Sequence, residues 1–160
     1  LFQRTSKESK RMTKAIFLRG PSGSGKSTWT KKNYPNAVVC SADDFFIDQK
    51  TGEYKWDGDK LMIAHNVCQA KFKKALMNKE PVVVVDNTMV KIRDMEWYYE
   101  TATKLGYDVE VVEFRKPLST ILGRNTHNVP DFAVERMYQT MKQNPIPKNW
   151  NVKVTQVTED

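Results

Sequence analysis

The sequence predicts an α/β fold in which helices cover both faces of a central parallel sheet. Short apolar runs alternate along the chain with segments of helical periodicity, and this alternation is typical of β–α–β units. One run, PVVVV at 81–85, is an unbroken β-branched stretch of the kind found in strands buried on both faces. The chain has 160 residues, of which 39% are hydrophobic, so it is long enough to bury such a core as one domain.

The first half of the chain contains two predicted strands and two predicted helices. The apolar run at 15–19 predicts the first strand, and the polar segment after a glycine-rich stretch predicts a short helix that ends before Pro35. A second strand is predicted at 37–40. Residues 43–58 combine polar and aromatic side chains with turn signals, so they are predicted to be mostly loop. From 59 to 79, apolar residues recur every three or four positions, which predicts an amphipathic helix.

The second half continues the alternation. The strand at 81–85 ends in Asp86, and the helical repeat at 92–105 is closed by Gly106. A strand at 109–114 and helices at 118–125 and 132–143 follow, with a turn around Pro130 between the two helices. Residues 144–160 contain two prolines and one alternating stretch, so they form either an edge strand or a tail.

Basic residues outnumber acidic ones by 26 to 19, and the net charge of +7 favours an anionic partner such as nucleic acid or nucleotide phosphate. Five basic residues and one acidic residue fall within the first 14 positions, which show no periodicity. We therefore expect residues 1–13 to be a flexible basic leader and residues 14–160 to be a single domain. The leader is either an arm that contacts nucleic acid or a solvated segment. The leucine at position 1 suggests that the chain was processed or excised from a longer one.

The composition excludes several classes of protein. No apolar run approaches the roughly 18 residues of a transmembrane helix, and the first residues lack the apolar segment of a signal peptide. Cys40 and Cys68 form no CxxC pair, so we expect a reducing compartment and no disulfide scaffold. We expect an intracellular protein, cytoplasmic or nuclear, with no membrane partner. The oligomeric state does not follow from the sequence.

Residues 20–27 read GPSGSGKS and match the phosphate-loop pattern G-x-x-x-x-G-K-[ST] in full. Glycines let consecutive backbone N–H groups point at phosphate oxygens, and the next helix adds its positive dipole end. In such loops the lysine, here Lys26, reaches the β- and γ-phosphates, and the hydroxyl, here Ser27, is a magnesium ligand. The pattern predicts ATP or GTP, with Mg²⁺, as the cofactors. The predicted nucleotide contacts are Gly20, Ser22, Gly23, Ser24, Gly25, Lys26, Ser27 and Thr28.

Acidic residues follow two of the predicted strands. Asp86 ends the strand at 81–85, and because ligands bind outside the carboxyl ends of parallel strands, it is predicted to hold magnesium through a bound water. Asp43 and Asp44 follow the strand at 37–40, where a carboxylate can accept the proton of an acceptor hydroxyl. Only one of the adjacent pair is expected to be that base, and a helix N-cap is the alternative for both.

Arg124 is the main candidate for a mobile arginine that closes on the transferring phosphate and stabilises its charge. It lies on a predicted helix, directly before the THNVP segment at 126–130. Arg136 and Lys116 are weaker candidates for the same role.

Aromatic residues are interleaved with lysines in the predicted loop after the second strand. Phe45, Phe46, Tyr54 and Trp56 lie among Lys50, Lys55 and Lys60. Such a segment either stacks nucleobases beside a charged path, or buries its phenylalanines in the core with the other rings partly covered.

Four segments, GPSGSGKSTW, SADDFF, VVVVDNT and GRNTHNVPDFAVERM, together resemble the landmarks of the P-loop polynucleotide kinase family. The chain is also similar to the P-loop domain of vertebrate cyclic-nucleotide phosphodiesterase and to kinase-like domains of ubiquitin-ligase-binding proteins. The resemblance covers about residues 14–143. It implies an adenylate-kinase-like P-loop fold with a helical lid and magnesium-dependent transfer of the γ-phosphate to a 5′-hydroxyl end of RNA or DNA. It further implies that Asp43 is the general base, that Asp86 is the second acidic motif and that Arg124 is the lid arginine.

Two departures from the family pattern fall on the acceptor side. Phage-type kinases carry an arginine three residues after the base, where this chain has Phe46, and Met89 stands where the family often has asparagine. The acceptor therefore stays open between a nucleic acid end and a small metabolite or nucleoside. A non-catalytic nucleotide-binding module of a larger protein is the third hypothesis.

Overall fold

The computed structural model describes residues 13–124 and 129–159. Its strands are β1 (Lys14–Arg19), β2 (Val38–Cys40), β3 (Val82–Asp86), β4 (Asp108–Phe114) and β5 (Val152–Val157). They form one sheet in the order β2–β3–β1–β4–β5, and all neighbouring pairs are parallel. The predicted α/β fold is confirmed, and the end of the chain contributes an edge strand. The predicted leader, apart from Thr13, lies outside the described residues.

The helices of the described ranges are α1 (Lys26–Asn33), α2 (Leu61–Met77), α3 (Ile92–Lys104), α4 (Leu118–Leu122) and α5 (Asp131–Lys142). The segment at 43–58 is mostly loop, as predicted, although a 3-10 helix, Ala42–Phe46, covers its start. One prediction needs correction. The helix predicted at 118–125 ends at Leu122, because the chain turns at Gly123 and Arg124. In the part of the chain that the structure describes, no helix is both long and apolar enough to cross a membrane.

Strand β1 is the centre of the fold and is buried on both faces. Phe17 pairs with Val85 of β3 and Val111 of β4, and its ring packs edge-on against Phe72 of α2. On the other face, Ile16 and Leu18 join a second apolar cluster that contains Phe114 and the partly buried Trp29 of α1. Helices therefore cover both faces, as the unbroken apolar strand of the sequence predicts.

A buried arginine at the end of β1 joins four parts of the fold. Arg19 is fully buried, and its Nη1 donates to Glu113 Oε2 at 3.0 Å and to the carbonyl of Asn144 at 2.8 Å. Its Nε and Nη2 donate to the carbonyls of Met89 and Val90 at 3.0 and 2.7 Å. The ends of β1 and β4, the segment after β3 and the end of α5 are thereby held together. This fixes the edge of the sheet at which the candidate site lies.

Candidate active site

The phosphate loop lies between the carboxyl end of β1 and α1, as predicted. Gly20 has no room for a side chain, since a Cβ would lie 2.9 Å from both Phe114 Cβ and Ser24 Oγ. Gly25 is the N-cap of α1 and has φ +94°, a left-handed conformation that favours glycine. The loop is anchored where the Gly20 N–H donates to the carbonyl of Thr88 at 2.9 Å. The glycines are therefore required by packing and backbone conformation.

Lys26 bends back over the loop. Its Nζ donates to the carbonyls of Gly20 and Pro21 at 2.9 and 3.0 Å. Burial lowers the pKa of its ammonium, and the nearby carboxylates of Asp86 and Asp43 partly offset that effect. The side chain is therefore a desolvated cation at the end of the sheet, where an anionic phosphate is attracted most strongly.

Ser27 and Asp86 are brought together although they are 59 positions apart. The Ser27 hydroxyl donates to Asp86 Oδ2 at 2.8 Å. A hydroxyl and a carboxylate are hard oxygen donors of the kind that Mg²⁺ takes beside phosphate and water. Among the described residues, no group of three or more His, Cys, Asp and Glu side chains could form a metal site without such outside ligands. The pair fits a magnesium ion that is shared with a nucleotide.

Ser24 carries a polar atom that the loop leaves unsatisfied. Its Oγ is buried and makes no hydrogen bond within the described structure. A buried hydroxyl without a partner costs roughly 1–3 kcal/mol, so its place inside a phosphate loop fits a ligand oxygen. Ser22 and Gly23 are half-buried in the same loop, and Thr28 is exposed on α1.

Asp43 lies on the 3-10 helix after β2 and is held from two sides. The Tyr54 hydroxyl donates to Asp43 Oδ1 at 3.1 Å, and burial together with the Asp43 charge raises the pKa of Tyr54 to about 12. The helix is itself fixed by Asn87, whose Oδ1 accepts from the Ala42 N–H at 2.9 Å. Sequence reasoning predicted neither the Tyr54–Asp43 contact nor the Asn87–Ala42 contact, because both depend on tertiary packing.

The two adjacent acids have different environments. Asp43 lies within electrostatic range of Lys26. Partial burial raises the pKa of the Asp44 carboxyl group, and Asp44 interacts electrostatically with Lys71 and Asp86. Asp43 is therefore the acid of the pair that acts on Lys26.

Arg124 lies in the turn after α4 and not on a helix, where it was predicted. Its carbonyl and that of Ile121 pack on the phosphate loop, since a Cβ on Gly23 would lie 3.0 Å from each of them. Its side chain is exposed, and the residues that follow, 125–128, lie outside the described ranges. The structure thus places the backbone of Arg124 against the loop.

Lys116 was a weaker candidate in the sequence for the cation that stabilises the transferring phosphate, yet its side chain lies against the phosphate loop. It follows β4, it is only 4% exposed, and its Nζ lies 2.6 Å from the position that a Cβ on Gly25 would take. A second buried cation therefore faces the phosphate loop. The position directly after a strand was the one available sequence signal. By contrast, the remaining candidate, Arg136, is exposed on α5.

Comparisons with known proteins identify the family and the fold of this chain. Residues 16–144 match a protein family described as an AAA domain. The chain is 31% identical over 144 residues to NEDD4-binding protein 2 of Homo sapiens. The aligned region covers 82% of this chain and 8% of the human protein.

Two solved structures show the same fold. A chain of the Pnkp1/Rnl/Hen1 RNA repair complex matches with a TM-score of 0.71 and 19% identity, over 88% of this chain and 47% of that one. A gluconokinase from Sinorhizobium meliloti 1021 matches with a TM-score of 0.53 and 16% identity, over 94% of this chain and 86% of the gluconokinase chain. The chain thus spans less than half of the repair-complex chain and a small part of the human relative. The family match over most of the residues, with the intact phosphate loop, shows that the chain belongs to the AAA-domain family and has the fold of a P-loop kinase.

Proposed function

We propose that this domain transfers the γ-phosphate of a nucleoside triphosphate to a 5′-hydroxyl end of RNA or DNA, with Mg²⁺ and with Asp43 as the general base. One observation carries the proposal. Asp43 is held by Tyr54 at the same edge of the sheet as Lys26 and the Ser27–Asp86 pair. A base, a phosphate-binding cation and a metal-binding pair are the parts that this reaction needs.

The phosphate loop, Lys26 and the Ser27–Asp86 pair hold the donor. The backbone N–H groups of residues 20–27 and the start of α1 bind the phosphates, while Lys26 exchanges its two carbonyl partners for phosphate oxygens. When bound, Mg²⁺ neutralises charge on the phosphates, and Ser27 and Asp86 are the residues that hold it.

The Asp43 carboxylate accepts the proton of the acceptor hydroxyl while that oxygen bonds to the γ-phosphorus and the nucleoside diphosphate leaves. The hydrogen bond from Tyr54 occupies Oδ1, so Oδ2 is the oxygen that we assign to the proton. Arg124 and Lys116 are the cations that we assign to the charge on the transferred group, since both lie against the loop.

The nucleic acid acceptor is supported by the fold shared with a chain of the RNA repair complex, over 88% of this chain. A small-metabolite acceptor is the second candidate. The gluconokinase fold match favours it, as does Phe46 at the position where phage-type kinases carry an arginine. A nucleotide-binding module without transfer activity is the third, because the human relative is far longer than this chain.

Transfer of labelled phosphate to 5′-hydroxyl oligonucleotides, beside a panel of sugar acids and nucleosides, tests the proposal. Asp43→Asn is expected to lower kcat by about 100-fold or more while nucleotide affinity stays within about threefold, because loss of a general base affects the chemical step. Asp44→Asn is the matched control and is expected to keep most of the activity. Transfer to metabolites alone, or equal losses in the two variants, would contradict the assignment.

A further inference from the structure

An open cavity of about 620 Å³ lies at the 3-10 helix that carries the candidate base. Its lining includes Phe45, Ile47, Lys55, Trp56 and Lys60. Tyr54 links the two, because it donates to Asp43 and its ring packs against Phe46, which also lines the cavity. None of these residues has a role in binding the nucleotide at the phosphate loop.

Two aromatic rings are exposed at the cavity, and a buried ring beneath them holds them in place. Trp56 is 61% exposed and Phe45 is 37% exposed, whereas Phe46 beneath them is buried. The Phe46 ring packs edge-on against Phe45 at 5.4 Å and lies 6.5 Å from the ring of Trp56. It also contacts Tyr54, the hydrogen-bond partner of Asp43. The buried Phe46 ring therefore fixes the rings of Trp56 and Phe45 relative to the carboxylate of Asp43.

Gly58 positions the indole of Trp56. A Cβ on Gly58 would lie 2.7 Å from Trp56 Cη2 and 3.3 Å from two further atoms of the six-membered ring. The indole thus lies directly against the glycine backbone. Gly58 has no positive φ, so alanine fits the backbone there and displaces only the ring.

The charges around the cavity nearly cancel. Lys55 and Lys60 line it together with Asp48 and Asp57. Lys55 is 3.9 Å from an Asp48 oxygen, and Asp57 accepts from the N–H of Asp59 at 3.0 Å. Ring stacking rather than net charge must therefore provide the affinity of this site. A flat aromatic group with little charge of its own fits better than an acyclic sugar acid, which presents no ring face.

We infer that this cavity binds the base of the 5′-terminal nucleotide of a single-stranded acceptor, stacked on Trp56 and Phe45. The inference rests on the proposed function, because the 5′-hydroxyl of that nucleotide is the group that Asp43 deprotonates. Every base has a π-face, so the site favours acceptors that carry a nucleobase over sugar acids without selecting a sequence. Phe46, at the position where phage-type kinases carry an arginine, instead supports the stacking rings.

A comparison of two short single-stranded acceptors tests the inference. One carries a normal 5′-terminal nucleotide, and the other carries an abasic residue at that position. Trp56→Ala is expected to raise KM for the normal acceptor by about tenfold, the lower to middle range for a base–aromatic stack, and to leave kcat within about twofold. KM for the abasic acceptor should not change, because the partner of the indole is already missing.

Three further variants separate stacking from general damage. Trp56→Phe keeps a ring face and should stay within about threefold of the unaltered chain. Gly58→Ala should raise KM for the normal acceptor while thermal unfolding stays unchanged. Met77→Ala, at a 65% exposed apolar residue at the far end of α2, is the matched control and should have no effect. An equal rise in KM for both acceptors in Trp56→Ala, or no rise for either, would overturn the inference.

Binding without a nucleotide distinguishes failure of this inference from failure of the proposed function. Anisotropy of the two acceptors, each labelled with fluorescein at its 3′ end, reports binding independently of transfer. Weaker binding of the abasic acceptor, lost in Trp56→Ala, supports the base site even if no phosphate is transferred. Transfer to oligonucleotides with equal binding of both acceptors rejects the base site and leaves the kinase proposal standing. Absence of both transfer and base-dependent binding rejects both.

Discussion

Side chains that face the phosphate loop come from distant parts of the chain. Lys26 belongs to the loop itself, whereas Lys116 arrives from the end of β4 and Asp43 from the end of β2. Lys116 is almost fully buried and Lys26 is half-buried, so each interacts more strongly with a phosphate than an exposed lysine would. Two hydrogen bonds position Asp43. Tyr54 donates to its carboxylate, and Asn87 accepts from the backbone of the 3-10 helix that carries it.

The position of Lys116 predicts a contribution to nucleotide binding. Lys116→Met keeps most of the buried stem and removes the charge, so we expect the affinity for nucleoside triphosphate to fall by roughly tenfold, within the range for a charge-assisted hydrogen bond. Titration calorimetry measures the change. Lys104→Met, at an exposed lysine at the end of α3, is the control and should bind normally. Unchanged affinity in Lys116→Met would show that this lysine has only a structural role.

At the scale of elements, the segment after β3 is the part most tightly constrained. Met89 in this segment is buried and has φ +47°, a left-handed conformation unusual for a residue other than glycine. Its carbonyl and that of Val90 both accept from Arg19, and the Thr88 carbonyl accepts from Gly20. These bonds join the start of the phosphate loop to the segment directly after Asp86 and so help to hold Asp86 beside Ser27.

Removal of Arg19 is therefore expected to destabilise the whole sheet edge. Arg19→Met leaves Glu113 buried with Arg115 and Gln156 as its polar partners within the described ranges, and it removes the arginine donor from three carbonyls. We expect the free energy of unfolding to fall by about 3–5 kcal/mol, as for other broken buried ion pairs. Urea denaturation measures it. Arg136→Met, at an exposed arginine on α5, should change stability by less than about 0.5 kcal/mol. A similar small change in Arg19→Met would contradict the structural role.

At the scale of the whole molecule, parallel strands place all parts of the site at one edge. The phosphate loop follows β1, Asp43 follows β2, Asp86 ends β3 and Lys116 follows β4. Because the strand order is β2–β3–β1–β4–β5, the loop lies near the middle of this row. The opposite edge contributes none of these side chains, so chemistry and packing are separated within one sheet.

The buried thiols and phenols predict a loss of stability at alkaline pH. Burial raises the pKa of Cys40 from 9.0 to about 12 and also raises the pKa values of Cys68, Tyr98 and Tyr107. Above pH 9 the unfolded chain loses protons that the folded chain keeps, so the free energy of unfolding falls with rising pH, by up to about 1.4 kcal/mol per pH unit for each group. Lys26 has the opposite effect on the free energy of unfolding. Burial lowers the pKa of its ammonium, so the folded chain loses this proton at a lower pH than the unfolded chain does, and taken by itself this residue makes stability rise with pH.

Urea denaturation between pH 7.5 and 10.5 measures this dependence. Stability is expected to be nearly constant up to about pH 8.5 and then to decline. Cys40→Ala removes one of the titrating groups, so its decline should be shallower than that of the unaltered chain. Constant stability across the whole range would contradict the burial of these groups.

The sequence by itself determined the local parts of this protein. The phosphate loop was identified from its sequence motif, because glycines, a lysine and a hydroxyl at fixed spacing suffice to bind phosphate. The positions of Asp43 and Asp86 followed from a general rule about the carboxyl ends of parallel strands, and the alternation of elements predicted the sheet. Each of these signals lies within a few residues of chain.

Only the tertiary structure decided how distant residues meet. It placed Lys116 at Gly25, Tyr54 on Asp43 and Asn87 on the helix after β2, and it paired β5 with β4 where the sequence allowed a strand or a tail. It also buried Phe46 while leaving Trp56 and Phe45 exposed, a division that their shared composition could not reveal. The physical reason is that strand order, burial and side-chain contacts across 11 to 125 positions depend on the packing of the complete core.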